Sequence, residues 1–136
     1  MCFEKSIVPG LAAGLVYLIL DLLISFVVVA VLPFDINSIG GMRAASDPLM
    51  VTYFITPFVL GIAMAVFYSV VGKSFKGDCL HKSLKFGLLV WGVSGLYSAL
   101  AVLTSMDYPI GFTVVSFLGS LVCTLAAAKV IVKLHK

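Results

Sequence analysis

The sequence predicts an all-α integral membrane protein, a four-transmembrane-helix bundle with both termini in the cytoplasm. Three observations predict this fold: the composition, the grouping of apolar residues and the placement of lysines. Of the 136 residues, 62% are hydrophobic and 11% are charged, and the mean hydropathy is +1.20. Water-soluble domains have roughly a quarter charged residues and under half apolar ones. The composition therefore excludes a water-soluble core.

The apolar residues form four long runs, each able to cross a bilayer once. At about 1.5 Å per residue, even the shortest run approaches the ~30 Å thickness of the hydrocarbon layer. Backbone amides without partners cost several kcal/mol in lipid, and no run alternates apolar with polar residues, so each run is predicted to be helical. The chain is predicted to be one membrane domain, 1–136, with spans at about 7–32, 49–71, 85–104 and 110–132, outer loops at 33–48 and 105–109, and a cytoplasmic loop at 72–84.

The second span has the clearest helix signals. Asp47 can accept hydrogen bonds from the first free amides, and Pro48 suits the first helical turn. Pro57 lies within the span, where it removes one backbone hydrogen bond and is expected to bend the outer half of the helix.

Lysine and arginine are sorted by side of the predicted bundle. Eight of the nine fall before span one, between spans two and three, or at the end of span four, and only Arg43 falls elsewhere. By the positive-inside rule, this distribution places both termini in the cytoplasm. We interpret the lysines as topology signals and contacts with anionic lipids. They are Lys5, Lys73, Lys76, Lys82, Lys85, Lys129, Lys133 and Lys136.

Small and polar residues recur along one face of three spans. In lipid, helices associate through close packing at small residues and interhelical hydrogen bonds, so these faces are predicted to point inward. The spacing Gly10-x-x-x-Gly14 allows close approach and is weak support for a dimer. At 100° per residue the faces comprise Gly10, Gly14, Tyr17, Asp21 and Ser25 in span one, Gly87, Trp91, Ser94 and Ser98 in span three, and Thr113, Ser116, Ser120, Thr124 and Ala127 in span four.

Asp21 is the ionisable residue placed near the middle of a predicted span. An aspartate at the bilayer centre costs about 2.5 to 3.5 kcal/mol on insertion scales, so it normally faces protein or water and often marks a route for ions, protons or substrates. Its predicted hydrogen-bond partners are Tyr17 and Ser25 in the same helix, with Ser94 or Ser98 across the interface. The functional interpretation is a cation- or proton-responsive site at the midplane. The alternative is a protonated aspartate that holds helices together.

Trp91 lies several residues inside span three. Its ring either lines a cavity opposite Asp21, where an aromatic face beside an acid would suit an organic cation, or fills space between helices. Aromatic residues nearer the span ends are predicted to anchor the protein at the membrane interface. These are Phe3, Phe34, Tyr53, Tyr68, Phe75 and Tyr108.

Four potential metal ligands lie on the predicted cytoplasmic face: Cys2, Cys79, His81 and His135. Two thiolates and two imidazoles would satisfy zinc. The spacing is not that of a known zinc finger, and the alternative is a set of surface residues in a reducing compartment. Neither histidine lies in the apolar layer, so no axial ligand for haem is available there. We expect no metal and no cofactor.

Motifs of enzymes are not found. The sequence lacks a glycine motif for phosphate, and Asp21 has no second acid at its depth to form a catalytic pair. An enzyme is not expected, and neither is a nucleic-acid partner. The predicted function is an oligomeric transporter or channel for a cation, proton or small cationic solute, with Asp21 as the midplane site. The alternative is a non-catalytic accessory or scaffold subunit of a larger membrane complex. The predicted partners are the lipid bilayer and either further copies of the chain or another membrane protein.

Overall fold

A computed structural model describes residues 3–35, 39–41, 43 and 46–135. These residues form four long helices, each long and apolar enough to cross a membrane, and the predicted all-α fold is confirmed at this level. The first two long helices are α1 (Phe3–Val31) and α2 (Val51–Val71). The third joins α3 (Cys79–Val90), a π-helical turn (Trp91–Gly95) and α4 (Leu96–Ser105), and the fourth joins α5 (Ile110–Val114), a second π-helical turn (Val115–Gly119) and α6 (Ser120–Leu134).

The start of the second long helix follows the predicted pattern. Asp47 Oδ1 accepts a 2.8 Å hydrogen bond from the Leu49 amide, and Pro48 begins a short 3-10 turn that leads into α2. The predicted cap is therefore confirmed. Asp47 also pairs with Arg43 at 2.8 Å, so the positive residue that falls apart from the others is neutralised locally.

The third long helix begins at Cys79, before the start of the predicted apolar span at 85. Asp78 adopts an extended backbone conformation and accepts a hydrogen bond from the amide of His81, which is the geometry of a helix N-cap. The cap adds a polar first turn to the apolar part of the helix, and this turn carries Lys82.

Glycines bring α1 and α2 into backbone contact. A Cβ atom at Gly10 would lie 2.6 Å from the Cα atom of Ile62, and one at Gly14 would lie 2.7 Å from the Cα atom of Phe58. Gly61 on α2 faces both glycines in the same contact. The pair Gly10-x-x-x-Gly14, which the sequence offered as weak support for a dimer, is thus used inside the chain.

The core lies toward one end of the bundle. Along the bundle, α1 packs against α2 and α6, and α3 packs against α6. We call the end that carries Lys73, Lys82 and Lys133 the lysine end, and the end with the connections at 32–47 and 106–109 the loop end. The buried core cluster lies in the lysine-end half and comprises Ala13, Met64, Ala65, Tyr68, Phe86, Ala127, Ala128, Ile131 and Val132.

The loop-end half is packed more loosely. Of the ten residues of α4, all of which the structure describes, only Ala99 is buried, and Tyr97 is 74% exposed. Ser94 and Ser98, which were predicted to point into the bundle, are exposed, although both also line a cavity among the helices. The π-helical turn before α4 places the Leu96 amide on the Trp91 carbonyl, five residues back. This extra residue per turn shifts the faces of the helix, and the buried residue of α4 is Ala99.

Candidate functional site

A cavity of about 490 Å³ lies among the four long helices in the loop-end half. It runs from Met106 and Tyr108, near the loop end, to Leu60 and Thr124. Thr124 is about 14 residues, or roughly 21 Å, along the fourth long helix from its start. The core begins one turn further on, at Met64 and Ala127. The cavity is therefore deep, and the packed core closes it toward the lysine end.

Hydroxyl groups dominate the polar part of the cavity wall. The Ser94 hydroxyl donates a 2.8 Å hydrogen bond to the carbonyl oxygen of Val90, and the Ser116 hydroxyl donates one of 2.9 Å to that of Phe112. Because these protons are directed to the backbone, the hydroxyl oxygens are left as acceptors. The described residues with hydroxyl groups on the wall are Tyr17, Ser94, Ser98, Tyr108, Ser116, Ser120 and Thr124.

The described residues of the cavity wall are uncharged. Among the described residues that line the cavity, none has a charged side chain at neutral pH. A wall rich in hydrogen-bond acceptors and free of positive charge suits a cation or a solute that donates hydrogen bonds.

Trp91 supports this wall from the third long helix. Its Nε1–H group donates a 3.0 Å hydrogen bond to the Ser120 hydroxyl, and its ring contacts Phe117 edge-on with centroids 5.3 Å apart. Ser120 in turn donates to the carbonyl oxygen of Ser116 at 2.5 Å. The contact joins the two long helices that contain π-helical turns. Trp91 thus contacts the fourth long helix through both its Nε1–H group and its ring.

Asp21 is paired with a residue that the sequence assigned to another role. The Tyr53 hydroxyl donates a 2.5 Å hydrogen bond to Oδ2 of Asp21, so α2 supplies the partner that was predicted on α1 or on the third helix. Tyr53 is 41% exposed and Asp21 is half-buried. Tyr53 was predicted to be an interfacial anchor, and that prediction did not include this contact. Tyr68, which was also predicted to be an interfacial anchor, is buried in the core.

No local signal in the sequence identifies Tyr53 as the partner of Asp21. Asp21 lies about 10 residues, or roughly 15 Å, from the end of α1 at Val31, whereas Tyr53 lies close to the start of α2 at Val51. The contact therefore depends on how the two helices pack against each other. Pro57, in the same helix, leaves the Tyr53 carbonyl without its helical donor.

Tyr17 connects the Asp21–Tyr53 pair to the cavity. It lies one turn from Asp21 on α1, lines the cavity, and is within hydrogen-bonding reach of Thr124. Asp21 and Cys123 are both close enough to interact electrostatically with Tyr17. Cys123 is 0% exposed and packs inside the bundle. The carboxylate thus lies behind the wall that Tyr17 forms.

The structure divides the predicted site residues into two groups. Tyr17, Ser94 and Ser98 line the cavity. The second group is not part of the described wall: Asp21 is bonded to Tyr53, Trp91 donates to Ser120 of the wall, and Ser25 is half-buried one turn along α1 from Asp21.

Of the residues considered for zinc, Cys79 and His135 line the same cavity at one end of the bundle. Cys2 lies outside the described residues. The His81 ring is paired with Asp78, whereas the His135 ring packs against Tyr68 with centroids 5.6 Å apart. Within the described ranges, no group of three or more histidine, cysteine, aspartate or glutamate residues is placed to hold a metal ion.

Comparison of the chain with protein-family models, curated proteins and solved structures finds no match.

Proposed function

We propose that this chain is a multi-pass integral membrane protein, with both termini in the cytoplasm, that moves a cation, proton or small cationic solute across the membrane. Support for the membrane location comes from the four candidate spans and from their surfaces, where large apolar side chains such as Val8, Phe26 and Val70 are exposed. Support for the orientation comes from the lysines gathered at one end.

The observation that carries the transport proposal is the cavity that ends against a packed core. In the proposed orientation, the cavity faces the outside and the core closes the cytoplasmic half. A solute pathway that is open on one side and closed on the other is what alternating access requires. The hydroxyl acceptors would replace part of the water around an entering cation.

Asp21 supplies the counter-charge in this mechanism. A cation that reaches Thr124 and Tyr17 comes within one helical turn of the carboxylate. In this apolar surrounding the attraction between cation and carboxylate is much stronger than in water. Tyr53 holds the carboxylate toward α2 before the cation arrives. Occupation of the cavity would compete for the carboxylate and loosen the contact between α1 and α2.

Pro57 marks the part of α2 that can change conformation when the Tyr53–Asp21 contact is broken. The proline leaves the Tyr53 carbonyl without an intrahelical donor, so the segment 53–57 is held by fewer backbone hydrogen bonds than the rest of the helix. A change at the Tyr53 hydroxyl would therefore act on the weakest part of α2.

We further propose that the working unit is an oligomer. Ser94 and Ser98 line the cavity and are also exposed, so this part of the wall would be open to lipid in a single copy. Polar groups in lipid are stabilised by partners on a neighbouring helix, and a second copy can provide them.

Flux measurements in proteoliposomes that contain only this chain test the proposal. Proton, potassium and tetramethylammonium fluxes are measured for the natural protein and for Asp21→Asn. The proposal expects flux of at least one of these ions, and its loss in Asp21→Asn while the helix content is retained. Asp107→Asn is the matched control, since it removes an exposed loop carboxylate and should leave flux unchanged. Equal flux in Asp21→Asn and the natural protein would overturn the role of Asp21.

An accessory subunit is the second candidate, because one groove could hold a helix of a partner. The groove, of about 320 Å³, lies between α2 and the third long helix, and Leu60, Phe67, Leu89 and Val93 line it. Val93 is 77% exposed. Stable co-purification with a larger membrane protein, together with no flux from the isolated chain, would favour this function.

A further inference from the structure

A second cavity, of about 690 Å³, lies at the lysine end, far from the hydroxyl-lined one. Lys82 of α3 and Lys129 and Lys133 of α6 line it, together with Tyr68, Val132 and His135. We call it the lysine pocket. A neighbouring cavity of about 290 Å³ shares Tyr68, Lys82 and His135 and adds Lys73, so the positive side chains of three long helices converge on one region.

The positive charges of the lysine pocket have no protein counter-charge among the described residues. None of the described residues that line either cavity is acidic. The Arg43–Asp47 ion pair and the His81–Asp78 contact do not include a pocket lysine. Several ammonium groups held close together repel one another, and a bound anion removes this repulsion. The arrangement therefore favours a ligand with concentrated negative charge.

The depth of the lysines suits a lipid headgroup. Lys129 lies about five residues, or roughly 8 Å, from the end of α6, and Lys82 lies about three residues, or roughly 5 Å, from the start of α3. In a spanning helix, these distances correspond to the region where phosphate groups meet the hydrocarbon layer.

The floor of the pocket is apolar and well packed. Tyr68 and Val132 are buried there, and the His135 ring packs against Tyr68. The His135 Nε2 atom lies 3.5 Å from the hydroxyl oxygen of Ser6. A ligand with a negative headgroup and an apolar body matches charged walls above an apolar floor.

We propose that the lysine pocket binds the phosphate group of an anionic ligand, which in the membrane is the headgroup of an anionic phospholipid. The inference depends on the membrane location in the proposed function but not on transport. A failed flux experiment would leave it intact, and a failed lipid experiment would leave the flux proposal intact.

Two double variants of equal charge test this inference on the full chain. Lys82→Gln with Lys129→Gln removes two pocket lysines, whereas Lys76→Gln with Lys85→Gln removes two exposed lysines that do not line the pocket. Melting temperatures are compared in nanodiscs of phosphatidylcholine alone and in nanodiscs that also contain phosphatidylglycerol. A third arm adds inorganic phosphate to the protein in detergent. Native mass spectrometry counts the bound lipids.

The natural protein and the Lys76/Lys85 variant should be stabilised by phosphatidylglycerol, and the Lys82/Lys129 variant should not. Affinity for the lipid should fall about tenfold in the pocket variant and less than about threefold in the control, because distant surface lysines act through screened interactions. A response to inorganic phosphate alone would identify a soluble phosphate compound as the ligand. Equal losses in the two variants, or no response to either anion, would overturn the inference.

Discussion

The Tyr53 hydroxyl donates a 2.5 Å hydrogen bond to Oδ2 of Asp21 and so joins α2 to α1 in the loop-end half of the bundle. Removing one partner of such a contact leaves the other without compensation in an apolar environment, at a cost of about 1 to 3 kcal/mol. Tyr53→Phe is therefore expected to lower the free energy of unfolding by about this amount. Equilibrium unfolding in mixed micelles measures it.

Tyr97→Phe is the matched control for this change. It removes the same hydroxyl from a position that is 74% exposed, so the free energy of unfolding should change by less than about 0.5 kcal/mol. Equal effects of the two substitutions would show that the Tyr53–Asp21 contact does not stabilise the fold.

The hydrogen bond between Trp91 and Ser120 should be detectable as a coupling energy. In a double-mutant cycle of Trp91→Phe and Ser120→Ala, we expect a coupling of about 0.5 to 1.5 kcal/mol, because each single change already breaks the bond. The free energy of unfolding is measured for the natural protein, both single variants and the double variant. Strict additivity of the two single effects would contradict a bond between these side chains.

Gly61→Ala should disrupt the contact between α1 and α2. The added methyl group would meet backbone atoms of Gly10 and Gly14, which cannot move without separating the helices. Overpacking of this kind costs about 1 to 3 kcal/mol. Gly92→Ala is the control, since a Cβ atom there meets no neighbour within 4 Å. Thermal unfolding of both variants is the measurement, and a similar melting temperature for both would contradict the close approach.

Engineered cysteines should report the shape of the hydroxyl-lined cavity. In a background without Cys2, Cys79 and Cys123, a thiol introduced by Ser98→Cys is expected to react with a charged methanethiosulfonate reagent added from the loop side, because Ser98 lines the cavity. Ser83→Cys should be protected from the same reagent, since Ser83 is 2% exposed in the lysine-end half. Equal labelling rates at the two positions would contradict a cavity that ends at the core.

The cap of the second long helix should weaken in acid. The Leu49 amide and the Arg43 guanidinium hold the pKa of Asp47 below its ordinary value. A carboxylate with a lowered pKa stabilises the folded state at neutral pH, and this contribution is lost as the pH falls through the folded-state pKa. The Leu49 amide resonance should therefore titrate with a midpoint below about 4.

Arg43→Gln serves as the comparison for this titration. It removes the Arg43 hydrogen bond but leaves the Leu49 amide in place, so the midpoint should rise toward the ordinary aspartate value. A midpoint that is the same in both proteins would show that Arg43 does not interact with the carboxylate in solution.

Local features of the chain were enough to predict the helices. The length of each apolar run is visible in the sequence directly. Asp47 and Pro48 affect only the backbone within a few residues of their own positions, so the start of the second helix could be predicted as well. The first turn of the third helix was missed because its residues are polar, although the Asp78 cap was available as a signal.

The candidate site was predicted only in part, because its members depend on how each helix is rotated about its axis. Asp21, Tyr17, Ser94 and Ser98 were identified from their polarity within apolar runs. The burial of Ala99 on α4 was not predicted, because a regular 100° step was assumed through a π-helical turn. Tyr53 was missed because its contact forms only if α2 lies beside Asp21. The spacing of residues along the chain does not show which helices are neighbours.

Sequence alone was thus sufficient for the helical class, the presence of four long apolar helices and the separation of lysines from the apolar runs, since these follow from composition and short-range chemistry. The tertiary structure was needed to show which helices are neighbours, that Gly10 and Gly14 face Gly61, and that the hydroxyls share one cavity. These relationships arise from contacts between residues far apart in the chain, where small changes in helix rotation decide which side chains meet.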